Sequence, residues 1–236
     1  MNRRKRFIGL LQLETRFPRL HGDIGNPATF DFPVRIAVVA GAAATLAVHG
    51  DRVRLLGAFV ATGRQLVADG AVAITTSCGF LAPLQRVLAA ALPVPVATSP
   101  LLQVPWLAPL LPPSRRVGVV TIDADALGAD VLTAAGAPAD TPVVGLPRDG
   151  ELATTVFEDR ETLDAARAQA EVVEAGYALQ RRFPQVGAIV LECTNLPPYR
   201  RALAEATGLP VFDSTTLLEW LWRGAAAASV AIARPR

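Results

Sequence analysis

Cysteine is scarce in this chain, two residues in 236, and histidine and methionine are no more plentiful, at two and one. Cys78 and Cys193 form no CxxC pair, and His21 and His49 form no HxxxH pair, so metal-ligand spacing is missing and no metal is expected. His49 stands before Gly50-Asp51 and away from any serine or cysteine motif, which leaves a Cys-His or Ser-His nucleophile unsupported. No glycine loop of the GxGxxG or GKT kind occurs, so a nucleotide cofactor is not indicated. Neither sign of charge prevails: 23 Lys and Arg against 21 Asp and Glu, interspersed, offer no basic face for phosphates, and nucleic acid is set aside as a partner. No uncharged apolar run reaches the ~18 residues a membrane span requires. Met1 to Arg6 is basic like the start of a signal peptide. The apolar stretch behind it, however, is broken at Gln12 and Glu14 and has no small-residue cleavage site, so it reads as a solvated tail before the first strand. Two cysteines without a secretory signal point to a reducing, cytoplasmic setting in which a structural disulfide is the poorer reading.

What is present is a repeat. The two cysteines lie 115 residues apart, and sliding the chain on itself by that offset gives 13 identities in the 32 positions from Ala71 to Leu102. Chance would give roughly three in so Ala/Leu/Val-rich a chain, so an internal duplication is the better explanation. Ala73/Ala188, Ile74/Ile189, Cys78/Cys193, Pro83/Pro198, Arg86/Arg201 and Ser99/Ser214 are among the matches. Each copy places one thiol at the same structural point.

In chain order, Phe7 to Leu13 reads as a buried strand, followed by a loop from Glu14 to Pro33 too long for an ordinary α/β connection and therefore functional or mobile. Val34 to Val39 is a strand, Asp51 to Asp69 a helix stopped by Gly70, Ala71 to Thr76 a strand, Phe80 to Ala91 a helix, Val94 to Ala97 a strand and Leu101 to Leu111 a Pro-interrupted helix. Pro112-Pro113-Ser114 suits a linker. The second copy repeats the order: strand Arg116 to Val120, helix Leu127 to Ala135, strand Pro142 to Leu146, long helix Glu161 to Arg182, strand Val186 to Leu191, helix Pro198 to Ala206, strand Leu209 to Phe212 and a helix from Thr215 to Ala228. Uninterrupted β-branched runs alternating with helices indicate parallel sheets covered on both faces. The expected fold is α/β: two pseudo-symmetric, doubly wound, flavodoxin-like domains with a cleft between them. Trp106, Trp220 and Trp222, at helical positions, read as core or subunit interface.

In open parallel sheets, ligands bind beyond the carboxyl ends of the strands. Both cysteines fall there, each just ahead of an expected helix, and a helix start is expected to lower a thiol's pKa toward neutrality. A lone cysteine at a strand end is ordinarily a small buried hydrophobe. Two at matched positions, flanked by Thr76, Ser77 and Gly79 and by Thr194 and Asn195, suit a site better than a core.

Thr76-Ser77-Cys78 and Glu192-Cys193-Thr194-Asn195 resemble the two cysteine motifs of the aspartate/glutamate racemase superfamily, which includes hydantoin racemases, maleate isomerases and arylmalonate decarboxylases. The resemblance covers essentially the whole chain. It implies cofactor-independent proton transfer on a small carboxylate held between the domains. Cys78 and Cys193 would be the acid/base pair, Thr76, Ser77, Gly79, Thr194 and Asn195 would bind the substrate, and Asp23 and Asn26 from the long loop would touch its polar end. Gly79 and Asn195 depart from the glutamate racemase pattern. A crossover is also implied, with residues 1–100 plus 214–236 in the domain carrying Cys78 and 101–213 in the domain carrying Cys193, and a homodimer as the assembly. Racemase or epimerase activity on an amino acid or related acid is the leading expectation. A cysteine-dependent decarboxylase or cis/trans isomerase and a non-catalytic binding protein are the alternatives. Glu192, beside Cys193, reads equally as a tuning carboxylate or a core-edge residue. Arg16 reads as a solvated loop arginine, with recognition of a second carboxylate as its alternative role.

Overall fold

The computed structural model describes residues 6–227. The Met1–Lys5 part of the basic opening, and the end of the last expected helix at Ala228, lie outside that range.

The first sheet is built from β1 (Phe7–Leu13), β2 (Val34–Val39), β3 (Ala71–Thr76) and β4 (Val96–Ala97), the second from β5 (Arg116–Thr121), β6 (Val143–Gly145), β7 (Val186–Leu191) and β8 (Val211–Phe212). All pairings are parallel, and the orders β2-β1-β3-β4 and β6-β5-β7-β8 are the same order twice. Even an irregularity is repeated: the β1/β3 register slips after Phe7 and the β5/β7 register after Arg116, so Val72 and Gly187, 115 residues apart, are skipped at equivalent places. β3 is buried at every position, as a run with no polar alternation requires when helices cover both faces.

The helices are α1 (Ala44–His49), α2 (Leu56–Asp69), α3 (Gln85–Ala91), α4 (Val104–Leu107), α5 (Ala129–Ala134), α6 (Glu151–Phe157), α7 (Ala165–Arg182), α8 (Arg200–Thr207) and α9 (Ser214–Ala225). On α2, Phe59, Gly63, Leu66 and Val67 face the core, and Gly70, at φ 115°, ends the helix in the left-handed region that an L side chain avoids. The start of α9 is fixed by a capping box in which the Asp213 carboxylate accepts from the Thr215 and Thr216 N–H groups while Thr216 Oγ1 accepts from Asp213 N–H. Leu217, Leu218 and Leu221 of α9 pack on Ile8, Leu10 and Ala73 of the first sheet, so the end of the chain returns to the half where it began.

Several boundaries differ from expectation. The 3-10 segment Gly79–Leu84, with Pro83 inside it, replaces the start of the expected α-helix after Cys78. α7 begins at Ala165 rather than Glu161 because Asp164 caps it, accepting from the Ala166 and Arg167 N–H groups. α1 and α6 were not expected; at six and seven residues they are too short to show a helical repeat. Trp106 and Trp220 are not core residues: they are 45% and 58% exposed and lie against each other at 4.5 Å, whereas Trp222 stacks on Phe32.

Candidate active site

Four strand ends converge. Leu13 closes β1, Ser77 and Cys78 follow β3, Ile122 follows β5, and Glu192 and Cys193 follow β7; all line one cavity. Its remaining walls come from Phe17 and Arg19 of the long loop, Ala44 and Val48 of α1, Phe80, and Val156 of α6. Both free thiols are therefore brought to the same buried space, one from each copy of the repeat. That space is nearly closed: about 20 Å³ remains for the centres of water molecules, room for about one.

Two hydrogen bonds join the halves across it, Thr194 to Ser77 and Asn195 to Asp23, and two more brace its sides. Thr194 Oγ1 donates to Ser77 O at 2.6 Å, and Leu13 N–H donates to Ser77 Oγ at 2.9 Å. The Cys193 thiol donates to Asn195 Oδ1 at 3.5 Å, and Asn195 Nδ2 donates to Asp23 Oδ2 at 2.7 Å. Asp23 is only 2% exposed and also accepts from Gly25 N–H at 2.7 Å and from Arg19 Nη1 at 3.2 Å. Burial pushes its carboxyl up, opposed by Arg19 and by the hydrogen bonds from Asn195 and Gly25. The long loop thus inserts Phe17 and Arg19 into the cavity and Asp23 behind it. Asp159 anchors it from the other half, accepting from the N–H groups of Arg16 and Phe17 at 2.6 and 3.3 Å and pairing with the Arg16 guanidinium at 3.0 Å.

Of the residues predicted for the site, Cys78, Cys193, Ser77, Gly79, Thr194 and Asn195 line the cavity. Asp23 reaches it through Asn195. Thr76 and Asn26 do not line it: Thr76 Oγ1 donates to Thr98 O and Cys78 O, and Asn26 caps the turn Pro27–Thr29 while donating to Arg19 O. Arg16 points outward, and Arg19, which sequence reasoning passed over, is the cavity's arginine. Its only signal was its place four residues before Asp23.

The lowered thiol pKa expected from helix starts is overturned. Burial, reinforced by the negative charge of Glu192, pushes Cys78 up to about 12, against the favourable pull of Phe80 N–H, Arg52 and Arg19. Cys193 is raised well above the ordinary thiol value by burial and Glu192, with Cys78 and Asp23 adding to the effect against Asn195 N–H. The reason is local: a six-residue 3-10 segment follows Cys78 and a three-residue one, Pro197–Tyr199, follows Cys193, so the helix-end charge is small while both thiols are buried. Glu192 is itself fully buried and raised to about 8 by burial, with the Thr121 hydroxyl and Arg52 pulling the other way. No group of three or more potential metal ligands occurs among the described residues.

Two parallel sheets of the same order, a cleft served by the carboxyl ends of both, and a thiol from each half define a pseudo-symmetric double α/β architecture. It aligns with a glycine-to-cysteine mutant of arylmalonate decarboxylase at TM-score 0.62 and 20% identity, covering 98% of this chain and 97% of that one. A glutamate racemase from Bacillus anthracis aligns at 0.59 and 16%, covering 94% and 84%. The fold is thus the one these arylmalonate decarboxylase and glutamate racemase structures share. Among curated proteins, dimethylsulfoniopropionate lyase 5 of Emiliania huxleyi is 30% identical over 228 residues, 91% of this chain and 44% of that protein. A dimethylsulfoniopropionate lyase of Durusdinium sp. clade D is 26% identical over 225 residues, 92% of this chain and 74% of its own length. The chain thus spans less than half of the first relative and about three quarters of the second. No family model matches the chain. Among the described residues, no helix is long and apolar enough to cross a membrane.

Proposed function

We propose that this chain is an enzyme that removes the proton next to the carboxylate of a small acid by cysteine chemistry, and that its reaction is the lyase cleavage of dimethylsulfoniopropionate or a close analogue. The observation that carries the reading is a pair of buried thiols whose ionisation is unfavourable in the closed site. A substrate bearing a fixed positive charge is what such a site lacks: at an effective dielectric of about 20, a cation about 4 Å from a thiolate stabilises it by about 4 kcal/mol, roughly three powers of ten in acidity. The thiolate takes the α-proton, the C–H pair becomes the double bond of acrylate, the C–S bond breaks, and dimethyl sulfide leaves with that bond's electrons. Arg19 is the cavity's charge for the carboxylate. Cys78 suits the base, since Phe80 N–H, Arg52 and Arg19 all favour its thiolate, while Asn195 Oδ1 accepts the Cys193 proton and keeps that thiol neutral; the leaving sulfide is neutral and needs no acid. The similarity over about nine tenths of the chain to lyases of that name supports the same substrate.

One observation favours a second reading: thiols from opposite halves meeting in one cavity is what inversion at a carbon requires, so racemisation of a small α-substituted acid is kept as the alternative. Incubating the protein with dimethylsulfoniopropionate and measuring dimethyl sulfide in the headspace and acrylate in solution tests the first reading. Both products should form in equal amounts and disappear in Cys78→Ser. No product from that substrate, together with solvent deuterium entering both enantiomers of a chiral acid, would replace lyase with racemase.

A further inference from the structure

Glu192 is the carboxyl group lining the site, and the reaction above does not use it. It is 0% exposed, lines the cavity and is only half satisfied. Thr121 Oγ1 donates to Oε2 at 2.7 Å, whereas the buried Oε1 has no hydrogen-bond partner. Space for it exists because residue 79 is glycine: a Cβ there would lie 2.3 Å from Oε1 and 2.4 Å from the Glu192 carbonyl oxygen. The groups around it are the Thr121 hydroxyl, the two thiols and, further off, Arg52, whose guanidinium is already committed to Ala47 O and Val48 O and lies 3.7 Å from Asp130. The rest of the wall is apolar at Phe17, Val48, Phe80, Ile122 and Val156, with Ser77, Thr194 and Asn195 engaged in the hydrogen bonds given above and Arg19 paired with Asp23. A buried carboxyl oxygen without a donor calls for a proton or a cation. An ammonium or guanidinium would need several further acceptors for its N–H groups, and Ser77 Oγ and Asn195 Oδ1 already accept from Leu13 N–H and the Cys193 thiol. A methylated onium group needs none: its charge meets the carboxylate and its methyls meet the walls.

Building on the lyase reading, we infer that Glu192 is the onium receptor of this site, the residue that selects a substrate whose β-substituent is a methylated cation over one of the same shape without charge. Two consequences are measurable. Occupation by a cation ionises Glu192, which is held mostly protonated near pH 7 by its burial, so binding releases a proton; the carboxylate so formed offsets part of the cation's pull on the Cys78 thiolate. Neutralising the side chain erases the discrimination by charge and leaves the response to shape.

The test uses two unreactive probes of matched shape, 3-(trimethylammonio)propanoate and its carbon isostere 4,4-dimethylpentanoate, titrated calorimetrically into the full chain at pH 7 in phosphate and in Tris. Wild type should prefer the cation by about tenfold or more and release protons with it alone. Glu192→Gln should lose that preference and the proton release while keeping its affinity for the isostere. Thr121→Val, which leaves the carboxyl in place, serves if the glutamine variant does not fold; it should deepen the proton release. Equal weakening toward both probes, unchanged binding of both, no binding of either by wild type, or loss of turnover with charge preference intact would each overturn the assignment. Charge selection by Glu192 without any dimethyl sulfide production would leave this inference standing and sink the lyase reading instead.

Discussion

Glu192→Gln should change the pH dependence of folding in a way that can be worked out beforehand. The carboxyl has an ordinary value of 4.5 and is raised to about 8 in the folded chain, chiefly by burial. Below pH 4.5 both states hold the proton and ionisation costs folding nothing. Between the two values the unfolded chain releases the proton and the folded chain keeps it, so stability falls with rising pH at about 1.4 kcal/mol per pH unit, and the loss levels off above the folded value. The full span, 8 less 4.5, corresponds to about 5 kcal/mol, a large share of a typical domain stability of about 5–15 kcal/mol. Glutamine has nearly the same shape, accepts from Thr121 and does not ionise. Urea unfolding of both proteins at pH 5, 6, 7 and 8 should therefore show the variant gaining on wild type at every step, by about 4 kcal/mol in all. Comparing the two proteins cancels the other titrating groups to first order. A difference that stays flat across this range would mean that the folded chain carries Glu192 ionised, and the burial argument for it would be wrong.

Asp159→Ala should free the loop over the cavity. Burial works against ionised Asp159, but donation from the Arg16 and Phe17 N–H groups and the Arg16 guanidinium outweighs it and lowers the carboxyl below its ordinary value. The clasp is therefore intact above the ordinary carboxylate range and lost as pH falls through the lowered value. Hydrogen exchange at residues 15–24 should quicken in the variant at pH 7 with global unfolding little changed, and unaltered exchange would refute the clasp. Gly176→Ala places a Cβ 2.2 Å from Leu203 Cδ1 and 3.0 Å from Thr207 Cγ2, wedging α7 from α8. A loss of about 1–3 kcal/mol with little change in ligand binding is expected, read from thermal midpoints and calorimetry.

The strand cores and their alternation with helices were legible in the sequence because they are local: apolar runs such as Ala71 to Thr76 and Val186 to Leu191 must be buried on both faces wherever they are placed. Duplication also placed the thiols, since two copies of one fold put matched residues at matched strand ends. Tertiary structure alone decided the rest. Whether Arg16 or Arg19 entered the cavity depended on Asp159, 143 residues from Arg16, holding the outer one. The short helices that supply Ala44, Val48 and Val156 to the walls had no periodicity to announce them. The thiol pKa direction came out opposite to the helix-start argument because ionisation answers to desolvation by the whole surrounding shell, including Glu192, and no stretch of chain encodes that shell by itself. Gly79 stands in the sequence as a candidate for substrate contact; only the fold shows Glu192, 113 positions away, filling the space a side chain would need.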